Sequence, residues 1–348
     1  MTTPPLQALY CRYSWLTNRH PAVLNVTTIC RDRTSIAQIH RDALIMVSKL
    51  IENPPTWPDG ARCAVCLSFD MDGETLVYRR FPDTAPDQVA LAAQLRYEPV
   101  AAIPRLLNIF REQGLRQTFF VPGWCVDTYP DTVEKILAEG HEIAHHGYAH
   151  ARPNTQTSSA ELESLQAGIE SIRALTGARP TGYRAPAFQH SRHTVAHLLD
   201  EGFLYDSSLF GDDVPYLVGD DERTMVELPT DITLDDWTQF ACLPDFGYML
   251  PIATPGSALE MYKSEFDAAW RHGGMFVTVW HPFLTGRLAR AEMMIELIEH
   301  MQTRGGVWFA TLSQIADHCR SLIDTERWTP RRDFLPFATG PMPSGSPG

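Results

Sequence analysis

Short apolar segments alternate with amphipathic segments over most of the chain. The apolar residues 63–69 and 118–121 have the length of buried strands. Between them, residues 104–114 repeat apolar side chains at helical spacing, with a proline in the first turn and a glycine at the end. This alternation predicts a mostly parallel sheet covered by helices, which is either a barrel or a doubly wound sheet.

The same pattern predicts further elements along the chain. A helix begins at Pro130 and ends at Gly140, and a capping box at residues 158–161 begins another helix that ends at Gly177. Because the sequence contains no glycine-rich phosphate-binding loop, we expect the chemistry to lie in individual side chains at the strand ends. Further strands are predicted at residues 141–144, 275–280 and 307–310, and further helices at residues 194–199, 258–270 and 291–301.

The two ends of the chain lack this alternation. Residues 1–55 mix proline, threonine, arginine and asparagine with short apolar patches, and we interpret them as an N-terminal extension of uncertain order. Residues 326–348 end in a segment rich in proline, glycine and serine, and we expect them to form a flexible tail. Residues 56–325 then form one domain of a size that alternating barrels often reach.

Composition excludes several classes of partner. The chain has 42 acidic and 29 basic residues, a formal net charge of −13. The resulting negative field repels phosphate backbones and anionic lipids, so we expect neither a nucleic acid nor a membrane as a partner. No apolar stretch approaches the roughly 18 residues that span a bilayer. With 44% hydrophobic and 20% charged residues, the chain has the composition of a globular protein.

The cysteines and the first residues indicate a compartment. Seven cysteines, an odd number spread over a long chain, do not form a disulfide framework. Cys63 and Cys66 lie in an apolar strand, where side chains three positions apart face opposite ways, which disfavours a redox or zinc role for the pair. The first twenty residues lack the basic start and apolar core of a signal peptide. We therefore expect a cytoplasmic protein.

Two acidic residues follow the first predicted strand. Asp70 and Asp72 can share a face while the backbone stays extended, so two carboxylates meet in a small space at the strand end. Such a pair requires a cation, an arginine or a bound proton to compensate its charge. One interpretation is a metal ligand beside a general base; the alternative is a solvated acidic turn that Gly73 ends.

Three histidines lie within six residues after the strand predicted at residues 141–144. If the chain turns helically here, His146 and His150 face the same side and can hold one metal ion, while His145 points elsewhere. The alternative is a solvated, pH-sensitive loop. Together with Asp72 the two imidazoles form a three-ligand set that leaves positions open for water, as catalytic zinc sites do. We expect Zn²⁺, with iron, cobalt, nickel or manganese as alternatives.

An arginine and a late histidine complete the candidate site. Arg184 lies in a proline-containing turn and either binds Asp70, fixing it in its ionised form, or is an ordinary surface residue. His281 follows the strand predicted at residues 275–280 and is either structural or, if that strand reaches the same barrel end, an acid for the leaving nitrogen. Water bound to a divalent ion has a pKa of about 7, and Asp70 is placed to take its proton.

These segments, in this order, resemble the NodB-type polysaccharide deacetylase superfamily over roughly residues 60–320. The resemblance rests on the aspartate motif at 70–72, the H-x-x-x-H motif at 146–150, the R-x-P-x-F motif at 184–188, the late histidine at 281, and Thr118-Phe119-Phe120-Val121-Pro122-Gly123. It implies a distorted (β/α)7 barrel with bound zinc that hydrolyses an N-acyl group. It also implies Asp70 as base, Asp72, His146 and His150 as metal ligands, Arg184 as the residue that orients the base, and His281 as acid.

Two features depart from the secreted members of that superfamily, because Met71 separates the aspartates and no export signal is found. Both are similar to the cytoplasmic branch of peptidoglycan-deacetylase-like proteins, cyclic imide hydrolases and allantoinase-like ureide hydrolases. This resemblance implies a homo-oligomer, by analogy a tetramer. We expect Trp124, Trp237 and Phe240 to line the substrate cleft, although ordinary partial burial is the alternative for these aromatics.

Three functions compete at this point. The first is a metal-dependent hydrolase of non-peptide C–N bonds, acting on an N-acetylated sugar or on a small cyclic imide or amide. The second is a metal-independent, allantoinase-like ureide hydrolase on the same barrel. The third is a non-catalytic barrel that binds carbohydrate through an aromatic rim, which gives no reason for an open metal site beside a spare carboxylate.

Overall fold

The computed structural model describes residues 49–220, 222–249 and 251–337. Most of the predicted N-terminal extension, residues 1–48, lies outside these residues, as do the last eleven residues of the predicted tail. No helix in the described ranges combines the length and the apolar character that a membrane crossing requires.

Parallel strands surround the centre of the described domain, in the order β10-β1-β2-β3-β4-β5-β7. Strand β6 pairs antiparallel with β7 and also contacts β12, while β11 pairs with the start of β1. After β7, the hydroxyl of Thr230 donates to the carbonyl of Val277 in β10 at 2.7 Å. The predicted distorted (β/α)7 barrel is confirmed. The strands are β1 (Cys63–Asp70), β2 (Thr118–Val121), β3 (Glu142–His145), β4 (Gly182–Tyr183), β5 (Tyr205–Asp206), β6 (Tyr216–Gly219), β7 (Thr224–Glu227), β8 (Cys242–Leu243), β9 (Tyr248–Met249), β10 (Met275–Trp280), β11 (Val307–Phe309) and β12 (Arg332–Phe334).

Helices follow the strands around the outside, and the six predicted helices begin and end within three residues of the predicted positions. One start signal was wrong: the side chain of Thr157, not a capping box at residues 158–161, accepts from Ala160 N. Glu161 instead accepts from the hydroxyls of Ser191 and Thr194, each at 2.5 Å. The helices are α1 (Thr75–Arg80), α2 (Val89–Leu95), α3 (Ile103–Gln113), α4 (Gly123–Thr128), α5 (Pro130–Ala138), α6 (Ser158–Thr176), α7 (Thr194–Asp200), α8 (Asp236–Phe240), α9 (Pro255–His272), α10 (Pro282–Thr285), α11 (Leu288–Arg304) and α12 (Leu312–Asp324).

Strand β1 divides its side chains between two cores. Val65, Leu67 and Phe69 join the cluster that includes residues of the surrounding helices, whereas Ala64 and Cys66 pack in a second cluster. This division follows from the two-residue period of a strand. Asp70 is four positions after Cys66, so its side chain is on the same face of β1 as Ala64 and Cys66. That face is directed towards the second cluster, which contains residues of other central strands.

The C-terminal boundary of the domain lies later than predicted. Trp328 is 6% exposed, and its indole donates to the carbonyl of Asn53 at 3.1 Å. Strand β12 then pairs in register with β6. The prediction of a flexible tail is therefore wrong for residues 326–337, because the domain buries a large aromatic side chain and adds a strand there.

Candidate active site

The acidic pair lies where β1 ends. Asp70 is the last residue of the strand and Asp72 follows two residues later, 3% and 1% exposed respectively. Gly73 turns the chain with a φ of +54°, a conformation that glycine adopts without strain. Its amide donates to Glu98 at 2.7 Å. The two carboxylates are thus buried and fixed, so the predicted alternative of a solvated acidic turn is wrong.

The histidine segment brings two of its three imidazoles to Asp72. The Nε2 atoms of His146 and His150 each lie 3.4 Å from Asp72 Oδ1. The predicted helical turn is wrong, since Gly147 and His150 have φ values of +71° and +54° and the segment is a loop. His145 turns away, as predicted, and its Nε2 bonds the carbonyl of Leu165 at 3.0 Å.

The Asp72, His146 and His150 side chains fit a divalent metal ion. One possible ligand atom from each lies within 4.8 Å of the others. Asp72 Oδ1 is buried and accepts no hydrogen bond from any residue of the described ranges. The Nδ1 of His146 bonds the carbonyl of Arg184 at 2.8 Å, so in the neutral ring the proton is on Nδ1 and the lone pair of Nε2 can bind a metal. Two nitrogens and one oxygen form the open donor set of a catalytic site.

Protonation reflects the same arrangement. Burial raises the pKa of Asp72, but the nearby His150, His146 and His281 outweigh it and lower the pKa below its ordinary value. Burial lowers the pKa of His150 to about 4 against the opposing charge of Asp72. Asp72 is therefore ionised and His150 neutral at pH 7, the forms in which both bind a metal.

Arg184 is fully buried beside the candidate base. Its Nη1 donates to Asp70 Oδ1 at 2.7 Å and to the hydroxyl of Ser68 at 2.9 Å. The Nε donates to the carbonyl of Ser207 at 2.8 Å, and the guanidinium lies 4.0 Å from the centre of the Phe120 ring. The surface alternative for Arg184 is thus wrong, and the pairing with Asp70 is confirmed.

His281 directly follows β10, which pairs with β1 on the side opposite to the strands of the histidine loop and Arg184. Its Nε2 lies 3.7 Å from Asp72 Oδ2, and its Nδ1 lies 2.7 Å from Asp236 Oδ1. Asp236 also accepts the backbone amide of His281 and the hydroxyl of Thr285. Burial favours a neutral ring, but the hydrogen bond and charge of Asp236, with Asp72 and Asp235, raise the pKa of His281 well above its ordinary value.

Asp236 is a residue that the sequence interpretation missed. It lies directly before Trp237, but its partner His281 is 45 positions away. Asp235 was missed as well. Burial raises the pKa of Asp235 to about 7, against the opposing charge of His281.

A cavity of about 420 Å³ opens above these residues. Asp70, Asp72, His146, His150 and His281 lie among its lining residues, so the structure brings the predicted site together. Its walls are mainly apolar and aromatic, and include Leu76, Phe188, Ile232, Trp237, Phe246 and Tyr248.

The three predicted cleft aromatics have different outcomes. Trp237 lines the cavity, with its ring centre 5.3 Å from that of His281. Phe240 is 2% exposed within the core, so its prediction is wrong: it follows Trp237 on one short helix and its side chain packs inward. Trp124 is absent from the lining residues, and its ring packs 5.4 Å from that of Tyr78.

Arginines occupy the rim of the cavity. Arg79 and Arg80 are at the end of α1, and Arg152 follows the histidine loop. Burial and the neighbouring charge of Arg152 lower the pKa of Arg79. Arg80 donates to the carbonyl of Asp245 at 3.2 Å.

Comparisons with known proteins show which family this chain resembles. A model of the family described as polysaccharide deacetylase matches residues 84–205. The chain is 32% identical to a peptidoglycan deacetylase of Helicobacter pylori over 241 residues, which cover 62% of this chain and 82% of that protein. It is also 32% identical to a chitin deacetylase of Colletotrichum lindemuthianum over 138 residues, 36% of this chain and 55% of that protein.

Solved structures share the fold. A crystal structure from Mycobacterium smegmatis described as a "putative polysaccharide deacetylase" has a TM-score of 0.77 at 38% identity, covering 84% of this chain and 99% of that chain. The Puue allantoinase structure has a TM-score of 0.69 at 22% identity, covering 80% and 96%, and this likeness concerns the fold alone. The chain therefore belongs to the polysaccharide deacetylase family and is a hydrolase of carbon–nitrogen bonds other than peptide bonds.

Proposed function

We propose that this protein is a metal-dependent hydrolase of an N-acetyl group or of a small cyclic amide or imide. The observation that carries the proposal is the grouping of Asp70, the three candidate ligands and His281 on the floor of one cavity. A base and an acid on either side of a metal position are the parts that amide hydrolysis by water requires.

Asp72, His146 and His150 would hold the ion, for which zinc suits the two imidazoles and one carboxylate best. A divalent ion bound there would lower the pKa of water to about 7 and would polarise the carbonyl of the substrate. The hydrogen bond of His146 to the Arg184 carbonyl keeps the His146 ring directed at that position.

Asp70 acts as the general base. Arg184 Nη1 holds Oδ1 at 2.7 Å, so Oδ2 remains to accept the proton of the attacking water. That second oxygen lies 3.7 Å from His146 Nε2, on the side of the ligands. Arg184 orients the carboxylate and compensates its charge, and it does not itself touch the substrate.

His281 acts as the general acid. Asp236 holds the Nδ1 proton at 2.7 Å, which directs Nε2 towards Asp72 and the cavity. The raised pKa of His281 keeps a proton on Nε2 at neutral pH, and this proton passes to the leaving nitrogen as the C–N bond breaks.

Cavity size favours a small substrate. About 420 Å³ with aromatic walls is within the range of small-molecule sites. An N-acylated sugar unit and a cyclic imide are both small enough to enter this cavity, so both remain substrates of the proposal.

The proposal also includes the cellular compartment and the oligomeric state of the enzyme. Free cysteines at 63, 66, 125, 242 and 319 support a reducing, cytoplasmic compartment. We also propose a homotetramer, by analogy with the branch that the sequence resembles. Cell fractionation and sedimentation velocity test these two statements.

A substrate screen tests the function. Purified protein, supplemented with zinc, is assayed on N-acetylglucosamine oligomers, cyclic imides, hydantoins and ureides, with released acetate or ring-opened product measured directly. The proposal predicts turnover of an acetamide or imide that exhaustive chelation abolishes and zinc restores. Full turnover after chelation would instead identify a metal-independent ureide hydrolase. Ligand binding without turnover across the panel would identify a binding barrel.

A further inference from the structure

We propose that the substrate carries an anionic oxygen group, a carboxylate or a phosphate, that Arg79 and Arg152 bind while the C–N bond lies over the metal position. This inference rests on the proposed function and narrows its substrate class. Both arginines line the same cavity as Asp70 and His281.

The first support is the absence of partners. Neither Arg79 nor Arg152 forms an ion pair or a side-chain hydrogen bond with another residue of the described ranges. Several exposed arginines elsewhere in this acidic chain do pair with carboxylates: Arg111 lies 2.6 Å from Glu139, and Arg173 lies 2.7 Å from Glu170. Two neighbouring guanidinium groups repel each other unless an anion compensates them.

The second support is that the carboxylates of the cavity floor already have cationic or imidazole partners. Asp70 pairs with Arg184 at 2.7 Å, and Asp72 faces the imidazoles of His146 and His150 at 3.4 Å. Asp235, the third carboxylate that lines the cavity, lies 3.8 Å from His281 Nδ1. The rim arginines are therefore not required to neutralise the floor, and their charge remains for a molecule that enters the cavity.

The third support is position. Arg79 is on α1, which begins three residues after Asp72, and Arg152 follows His150 by two residues. The segments that hold the candidate ligands therefore also hold the rim arginines, which keeps the two sites at a set separation. Guanidinium groups bind carboxylate or phosphate oxygens in pairs of hydrogen bonds. An anion on the rim would fix one end of the substrate and place its amide on the floor.

Binding to the zinc-loaded Asp70→Asn protein, measured by titration calorimetry, tests the inference without turnover. The probes are N-acetylglucosamine, N-acetylmuramic acid and N-acetylglucosamine 6-phosphate, with hydantoin and hydantoin-5-acetate as a cyclic pair. In each set the neutral parent lacks only the anionic substituent. We expect at least one anionic probe to bind about tenfold tighter than its parent, and the better of the carboxylate and phosphate probes identifies the group.

Substitution of both arginines shows whether they cause the tighter binding of the anionic probe. In the Arg79→Gln, Arg152→Gln protein the advantage of the anionic probe should disappear, while the affinity of the neutral parent stays the same. Arg173→Gln, which removes an exposed arginine of α6, is the matched control and should keep the advantage. Equal affinities of anionic and neutral probes, an advantage that survives the double substitution, or no binding of any probe would overturn the inference. The proposed function fails separately, if the unmodified protein hydrolyses nothing in the screen above.

Discussion

Replacing Arg184 by methionine should destabilise the protein chiefly because it leaves Asp70 buried without its cation. Both side chains are nearly inaccessible, with Arg184 0% and Asp70 3% exposed, and their atoms are 2.7 Å apart. Methionine keeps much of the volume of the arginine stem, so packing against Phe120 changes less than the charge does.

The size of the effect follows from the contacts. Removing one partner of a buried ion pair costs about 3 to 5 kcal/mol of unfolding free energy. The guanidinium also donates to Ser68 and Ser207, but these bonds share one donor group with the ion pair, so their loss is not added to it in full. We therefore expect a loss of roughly 3 to 6 kcal/mol. Domains have a total stability of about 5 to 15 kcal/mol, so the variant should fold but unfold at a much lower urea concentration.

The assay is urea unfolding followed by tryptophan fluorescence in the presence of a chelator, so that metal binding does not contribute. A double variant separates the effect of the unpaired Asp70 charge from that of lost packing. Adding Asp70→Asn to Arg184→Met removes the unpaired carboxylate and should recover part of the lost unfolding free energy. Arg173→Met, which breaks an exposed pair of equal length with Glu170, should have little effect. A loss below about 1 kcal/mol for Arg184→Met, or no recovery on adding Asp70→Asn, would refute the reasoning.

Other predictions follow from the charges and the packing. Because the pKa of Asp235 is about 7 when folded, the native state binds an extra proton between about pH 4 and 7, and stability falls over this range as pH rises. Asp235→Asn should abolish that decline, worth at most about 4 kcal/mol, in chelated protein unfolded by urea at each pH; an unchanged pH profile would contradict this. Asp236→Asn should lower the pKa of His281, so the alkaline limb of kcat/KM moves to lower pH, and a limb that stays in place would remove Asp236 from the account. Gly168→Ala places a methyl group against the His145 ring and the Gly147 carbonyl, so it should weaken zinc binding in a competition with a chelating dye, and unchanged affinity would contradict this prediction.

Local patterns predicted much of the fold. Strands β2 and β10 begin and end at the predicted residues. Each is a short run of apolar residues, and such a run is typical of a buried strand. The ligand set was also predicted, since Asp72, His146 and His150 carry chemistry that core packing does not explain. The backbone conformation predicted for this segment was wrong. The spacing of His146 and His150 suggested a helical turn, but Gly147 has a positive φ and the segment is a loop.

The remaining features depend on contacts between distant residues. The role of Asp236 requires the end of β10 to lie beside α8, which no local pattern contains. The burial of Phe240 depends on which face of a five-residue helix turns inward. The segment at residues 326–337 contacts β6 and Asn53, which are far away in sequence. Its composition contains no sign of these contacts, and for this reason the segment was predicted to be a flexible tail.

Metal content measured beside activity tests the central claim most directly. Unmodified protein, Asp72→Ala and Asp70→Asn are purified alike, loaded with zinc and dialysed, and zinc is counted by mass spectrometry while hydrolysis is measured on the substrate from the screen. We predict about one ion per chain in the unmodified and Asp70→Asn proteins, little in Asp72→Ala, and hydrolysis in the unmodified protein alone. Full hydrolysis by the Asp70→Asn protein, or by an Asp72→Ala protein that holds no metal, would contradict the account.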